Sequence, residues 1–506
     1  MSGLGQPSVA AVKWSTVATL ARFLLQLCAQ VMLARTLGPE IFGLFAMGMV
    51  VLTLASFLTG FGFSWSLLQR ATVQAEDIRF ALTWQVIVGL ITTTWVYFLA
   101  SWLALYFKEP RVQFVIEWLS LACLLTAAAG PATYLLQRDL NFRAIGLIQV
   151  GSYGAGYLLV GIPMAWLGWG AASLVAAWLV QASVVLVASY ALKPHPLRPL
   201  LWYAGAATAI RTGRSVFITN IVNWLLNNMD RVLIGRLLNA QALGLYNVAY
   251  NMATLPNSLL LGALQPAFLA AGAQLQDQLP RLGRVYLNML ATVLVLVLPA
   301  FVFLALISDD LVRLLYGPAW REAGWVLQIL FVSMPAYVVW GLSTPVLWNT
   351  GRQNFEFALQ LPLVLIGAAG FYAFAGQGLR SAAGVAATLL VLRAAVMSLA
   401  AMRALQLRWT IVLPHAVRGA LLSGLCVLGV WSGHNATSGF DSPWLALLVS
   451  GLLTLCAVAV PILCRPQQLL GAATIDMVLR FFPRLSPFLN RNDWLSRSDV
   501  IGEQQT

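Results

Sequence analysis

Charge is scarce in this chain. Of its 506 residues only 9 % are Asp, Glu, Lys or Arg, against about 25 % in an ordinary soluble protein. With 60 % hydrophobic residues and a mean hydropathy of +0.81, that shortage excludes a soluble globular enzyme, a disordered chain and a fibrous protein. Histidine is nearly absent too: His195, His415 and His434 are the three, and none is paired. The five cysteines (Cys28, Cys123, Cys426, Cys456, Cys464) all fall in apolar runs. None has C-x-x-C or zinc-ligand spacing, so neither a disulfide framework nor a metal site is indicated. There is no G-x-x-x-x-G-K-[ST] loop and hence no ATPase module; no cofactor is expected. The start of the chain does not read as a cleavable signal, because its first apolar stretch is long, carries Arg22 and lacks a small-residue cleavage site.

What remains is a polytopic α-helical membrane protein. A bilayer core of about 30 Å needs roughly 20 apolar residues per helix. Runs of that length sit at 10–33, 41–67, 80–106, 112–136, 144–167, 169–192, 212–235, 243–269, 285–307, 323–348, 357–376, 380–402, 414–432 and 443–464. These fourteen segments predict an all-α fold with about 14 transmembrane helices. The weakest are 10–33 and 212–235, which contain charges and amides. Basic residues outnumber acidic ones 30 to 17, for a net charge of +13. In a soluble protein that balance would point to nucleic acid; here it reads as the cytoplasmic bias of Lys and Arg. With the N-terminus inside, the cytoplasmic loops hold 13 Lys/Arg and the outside loops seven, and the tail adds five inside. Both termini are therefore expected on the cytoplasmic side. A polar tail follows from 465, with an amphipathic stretch around 467–482 able to lie on the membrane surface.

The chain repeats itself. A shift of 201 residues lays ARTLGPEIFGLF (34–45) on GRLLNAQALGLY (235–246), matching Arg35 with Arg236, Leu37 with Leu238 and Gly43-Leu44 with Gly244-Leu245. Shifts of 212–214 carry Pro131 onto Pro345, Asn141-Phe142 onto Asn354-Phe355 and Gln181 onto Arg393. The order of these matches predicts two pseudo-symmetric six-helix halves, 1–200 and 201–410. Two additional helices at 411–464 and a tail at 465–506 complete the chain. Six is an even number, so the halves share one orientation and form a parallel repeat.

Polar stripes mark the candidate binding residues. In the first span Ser15, Thr19, Arg22, Gln26 and Gln30 share one helical face. Under the 201 shift Thr19, Arg22, Gln26 and Gln30 fall on Asn220, Asn223, Asn227 and Arg231. The eighth span adds Asn247, Asn251, Thr254 and Ser258 on one face, with Tyr250 and Asn257 nearby. Amides and guanidinium groups facing hydrocarbon are costly, so these stripes must face a partner helix or a wet cavity. Arg22 suits bidentate contact with phosphate or carboxylate; the alternatives are snorkelling to an interface or pairing with an acid. Arg393 reads equally as a ligand contact or a structural pair. Asp230, beside Arg231, is either half of a structural ion pair or an acid for ion coupling. The amides suit sugar hydroxyls, and any one of them could instead be helix–helix glue.

These residues resemble a family. Two six-helix halves plus two helices is the plan of the multidrug/oligosaccharidyl-lipid/polysaccharide (MOP) exporter superfamily. LARTLGPEIFGLFAMGMVV (33–51), NMDRVLIGRLLNAQALGLYNVAYNMATLP (228–256), LLQRDLNFRAIGLIQ (135–149) and LVRLLYGPAWREAG (311–324) are similar to its polysaccharide transporter branch, the Wzx-type flippases. The match looks nearest to the colanic acid and succinoglycan exporter group. The resemblance implies a V-shaped cationic cavity and alternating access. The cargo it implies is undecaprenyl-pyrophosphate-linked oligosaccharide, flipped to the periplasmic leaflet for exopolysaccharide, capsule or O-antigen. By resemblance Arg22 would meet the pyrophosphate and the Asn-rich faces the sugar. The implied partners are that lipid-linked oligosaccharide, membrane lipids, and polysaccharide polymerase and export proteins, with no nucleic acid. Related drug exporters carry an acid for cation coupling in the N-terminal half, whereas the first span here carries Arg22. The competing readings are a multidrug or ion antiporter of the same superfamily and a non-transporting scaffold of a polysaccharide synthase; no enzymatic constellation is present.

Overall fold

The structure is a computed structural model that describes residues 5–59, 63, 67, 72–203, 224–275, 278–439, 442–481 and 485–486. Among the described residues every regular element is helical. Eleven helical segments there have the length and apolar composition to cross a bilayer. Three of the fourteen expected spans are not counted separately, the eighth among them. The first two runs lie in one helical stretch, Gly5–Thr59, and most of the run 212–235 falls outside the described residues. The eighth expected span is the 35-residue helix Ala240–Gln274. The chain forms two compact units, Met1–Asn247 with Phe371–Gly376, and Val248–Gly370 with Gln377–Thr506.

In the first unit, the long stretch Gly5–Thr59 is interrupted at Gly38, whose φ of 75° and ψ of 174° leave the helix. Only glycine takes that conformation without strain. Pro39 follows, with its fixed φ suited to starting a new helix and no amide hydrogen to leave unsatisfied. The sequence LGP thus ends one span and begins the next without a loop. The second half makes the same change of direction with different chemistry. Helix 224–237 ends at Leu238, and Asn239 accepts a hydrogen bond from the Ala242 amide at 2.8 Å, capping Ala240–Gln274.

These two helix starts cross each other reciprocally. A Cβ on Gly43 would stand 1.7 Å from the Ala240 carbonyl oxygen, and one on Gly244 would stand 1.8 Å from the Pro39 carbonyl oxygen. Gly43 and Gly244 are partners under the 201 shift, as are Pro39 and Ala240. The contact is therefore pseudo-twofold, backbone on backbone, and admits no side chain.

Around this crossing the helices pack as a membrane bundle. Ile91, Trp95, Phe98, Trp102 and Leu105 form an exposed stripe along Ala75–Phe107 at spacings of four and three. Such a stripe is stable against acyl chains rather than water. Near one end of the bundle Arg111 reaches Glu109 at 2.8 Å and Glu40 at 2.6 Å. The Arg111 guanidinium holds the Glu109 carboxyl below its usual range. The stretch 193–203 that leaves the first half is strapped down at the start of Ala75–Phe107. Arg79 donates to the Arg198 carbonyl, Trp84 to the Leu201 carbonyl, and Tyr203 to Asp77 at 2.6 Å. Asp77 also closes the capping box at Gln74.

In the second unit Arg321–Asn349 packs against Leu379–Ala404, and Leu413–Thr437 against Pro443–Cys464. Beyond the last of these the helix Ala472–Phe481 places Ile475 against Val295 and Leu422, while Arg418 donates to the Gln468 carbonyl at 3.0 Å. The amphipathic tail therefore docks on its own unit.

Gly43→Ala and Gly244→Ala are each expected to destabilise the protein by about 1–3 kcal/mol through overpacking, seen as a lower melting temperature in detergent. A neighbouring change such as Ala46→Gly would not act through that clash. Tyr203→Phe removes one hydrogen bond, at a cost of about 1 kcal/mol, and is expected to speed chymotryptic cleavage after Trp202.

Candidate functional site

Each unit carries an arginine inside a bilayer-length helix, and each arginine leans on a glutamine. In the first unit Arg22 is half-buried, and its Nη1 donates to Gln149 Oε1 at 3.2 Å. Gln149 stands on the helical segment 142–166, which contains a π-helical stretch, Gly154–Gly161. Where that stretch begins, Tyr153 and Tyr157 stack with centroids 4.4 Å apart. No carboxylate pairs with Arg22 among the described residues, and its buried Nε–H has no hydrogen-bond partner there. Of the first-span stripe, Gln26 and Gln30 are also half-buried, and Thr19 is exposed. The face from 22 to 30 is therefore polar, cationic and partly open.

The second-half stripe is divided. Asn220 and Asn223 lie outside the described residues. Asn227 and Arg231 are half-buried on helix 224–237, and Arg231 donates to Asn228 Oδ1 at 2.9 Å. Asp230 accepts from the Tyr246 hydroxyl at 2.6 Å and from the Arg231 amide at 2.8 Å. Tyr246 is fully buried, so this acid is anchored to the next helix. On Ala240–Gln274, Asn251 and Ser258 are exposed, with Asn247 and Thr254 half-buried. Asn257, one step round the helix, is wholly buried and donates to the Met334 carbonyl at 3.2 Å. The helix thus separates an amide used as glue from a row of polar groups left open.

In the second unit Arg393 is 4 % exposed. Its guanidinium lies 3.7 Å from the centre of the Trp340 ring, a cation–π geometry. Its Nη2 donates to Gln360 Oε1 at 2.6 Å, and Gln360 Nε2 donates to Glu356 Oε1 at 2.9 Å. Glu356, 7 % exposed, also accepts from Trp348 Nε1 and from the Thr344 hydroxyl at 3.3 Å. Residues 337, 340, 344 and 348 lie on one face of Arg321–Asn349, so a single helix supplies the ring under the arginine and two donors to the acid.

Glu356 lies just ahead of the apolar run 357–376, which matches the bilayer-length segment Ala358–Gln377, and so escapes a search of the spans themselves. The helix Gln353–Phe374 begins a turn earlier and makes Glu356 part of it. Its signal was the i, i+4 pair Glu356–Gln360 just ahead of an apolar run. The shift that lays Asn141-Phe142 on Asn354-Phe355 also sets Arg143 opposite Glu356, so the acid distinguishes the two halves.

A family model described as polysaccharide biosynthesis protein matches residues 32–324, more than half of the chain. The chain belongs to this family. It is 28 % identical to the lipopolysaccharide biosynthesis protein WzxC of Escherichia coli K12, over 65 % of this chain and 67 % of that protein. It is 24 % identical to the succinoglycan biosynthesis transport protein ExoT of Rhizobium meliloti, over 72 % of this chain and 74 % of that one. In structure it is similar to the lipid II flippase MurJ in its inward closed conformation. That likeness has a TM-score of 0.70 at 13 % identity and covers 88 % of this chain and 98 % of MurJ. The family member is accordingly a multi-pass membrane protein with the MOP exporter fold, Wzx-type as its sequence motifs indicate.

The two arginines are expected to differ in what their loss does. Arg393→Leu leaves Glu356 buried without its cation and should cost about 3–5 kcal/mol; adding Glu356→Gln should restore part of that. Arg22→Ala breaks one hydrogen bond to a neutral amide and should cost about 1 kcal/mol. Melting of the three variants in detergent measures the contrast.

Proposed function

We propose that this protein flips a polyprenyl-pyrophosphate-linked oligosaccharide across the bacterial inner membrane, from the cytoplasmic to the outer leaflet, for polysaccharide assembly. The observation that carries this reading is Arg22: a cation at membrane depth, partly open, its partner a neutral amide. A guanidinium so placed has hydrogen-bond donors in a fixed fork, the geometry that fits phosphate oxygens. Gln26 and Gln30 continue the same face with groups that both donate and accept, as sugar hydroxyls require. The open row at Asn247, Asn251, Thr254 and Ser258 supplies more of the same chemistry. WzxC and ExoT, relatives named for lipopolysaccharide and succinoglycan, support a saccharide cargo.

In this reading the headgroup enters from the cytoplasm with its pyrophosphate at Arg22, while the polyprenyl tail stays among the lipids. Exposure of the polar face then alternates from one side of the membrane to the other. The N- and C-termini lie in the cytoplasm, and the cargo is handed on to a polymerase and export machinery outside. The protein makes and breaks no covalent bond in this cycle.

The test is transport in proteoliposomes, with a fluorescent polyprenyl-pyrophosphate oligosaccharide placed in one leaflet and its headgroup assayed on the other. Wild-type protein should move it. Arg22→Ala should weaken uptake about tenfold to hundredfold, the equivalent of about 1.5–3 kcal/mol for a hydrogen bond to a charged group, and Arg22→Lys should recover part. Wild-type rates in both variants would remove the pyrophosphate role from Arg22. Absence of any protein-dependent movement by folded protein would shift the reading to a scaffold.

A further inference from the structure

We propose that Glu356 is a proton-binding site of the second unit, and that Gln360 relays its charge state to Arg393. The inference starts from the chemistry of the four groups. A carboxyl buried among membrane helices is costly when charged unless donors and a cation compensate it. Glu356 has both: donors from Trp348, Thr344 and Gln360, and a cation reached through one amide. Gln360 is held in one orientation by this. Its NH2 faces the acid and its carbonyl faces Arg393.

Binding of a proton changes what each neighbour must do. The new carboxylic O–H has to donate. Trp348 offers only an N–H and cannot accept. Thr344 can accept, because its own hydroxyl proton has a second acceptor, the Trp340 carbonyl at 3.4 Å. Gln360 can accept only by turning end for end, which would point its NH2 at a guanidinium that has no acceptor. By either route Arg393 loses the negative charge that balanced it. Its guanidinium keeps the Trp340 ring but no longer has the charge of Glu356 nearby, a change that favours an anion beside it. Protonation of Glu356 and the arrival of an anion near Arg393 therefore promote each other. No redox or group transfer is involved: one proton comes from water and returns to it.

The surroundings are consistent with a single titrating acid. Among the described residues Arg393, from Leu379–Ala404, is the charged group acting on Glu356. Tyr337 from Arg321–Asn349 and Tyr250 from Ala240–Gln274 face Arg393. Gly351 and Arg352, one turn before Glu356, are exposed and give the proton a short path to water. Asp230, the acid singled out by sequence, is held by a buried tyrosine and a backbone amide.

The experiment is a pH-difference infrared titration of the full chain in lipid, read at the C=O stretch of protonated carboxyls. Wild type should show a band that titrates and is lost in Glu356→Gln; Glu356→Asp, which keeps a carboxyl, should retain it at a shifted midpoint. Arg393→Gln should raise the midpoint by about one pH unit or more, since loss of a nearby cation favours the neutral acid. Farnesyl pyrophosphate should raise it in wild type and leave it unmoved in Arg393→Gln. A band identical in wild type and both Glu356 variants overturns the proton site. A Glu356 band indifferent to Arg393→Gln overturns the relay. The link to cargo rests on the flippase reading and is tested separately, with the fluorescent lipid-linked oligosaccharide under an imposed pH gradient. Wild-type flux should follow the gradient, and Glu356→Gln flux should ignore it. If wild type moves no lipid at all, the flippase reading fails while the infrared result still decides the proton site.

Discussion

A charge inside a bilayer must bring its own partner. Water and bulk counter-ions are absent there, so each buried cation or acid is held by a specific neighbour. That constraint orders the polar interior of this protein. Asp230 is clamped by Tyr246, Arg393 by Trp340 and Gln360, and Glu356 by three donors. Arg22 departs from the pattern, with one amide oxygen and a partly open face. A cation left that incompletely satisfied has binding capacity in reserve for an anion, and this is why the functional reading centres on it.

The internal repeat explains where these groups stand, and its divergence explains how they differ. Gly43 and Gly244 meet the carbonyls of Ala240 and Pro39 in reciprocal contacts that only glycine permits. Such a contact retains glycine at both positions, and the repeat is most legible there. Farther from the crossing the halves part company. An Arg–Gln pair occurs in each, but one joins the first span to Gln149 and the other joins Arg393 to Gln360, and only the second runs on to an acid. One pair leaves its arginine partly open beside a neutral amide, and the other links its arginine through an amide to an acid.

The amides show why residue type alone does not assign a role. Asn257 and Asn251 sit on one helix, six residues apart. The first is wholly buried and ties a neighbouring helix through the Met334 carbonyl, while the second is exposed. Both are equally polar in the sequence. The difference is which side of the helix meets protein, and the apolar pattern around them is too uniform to reveal it.

The sequence by itself determined the class of fold, because apolar length and a spacing of 3.6 residues per turn are local properties, and it placed glycine at the Gly43 and Gly244 contacts where no side chain fits. The kink at Gly38 was written in its Gly-Pro pair. The tertiary structure alone decided which charges are paired and with what. Arg393 and Glu356 are 37 positions apart, and the amide between them, Gln360, reaches across from a different helix than that of Arg393. Pairing depends on distances between helices, and a periodicity along one helix carries no information about the face its neighbour presents.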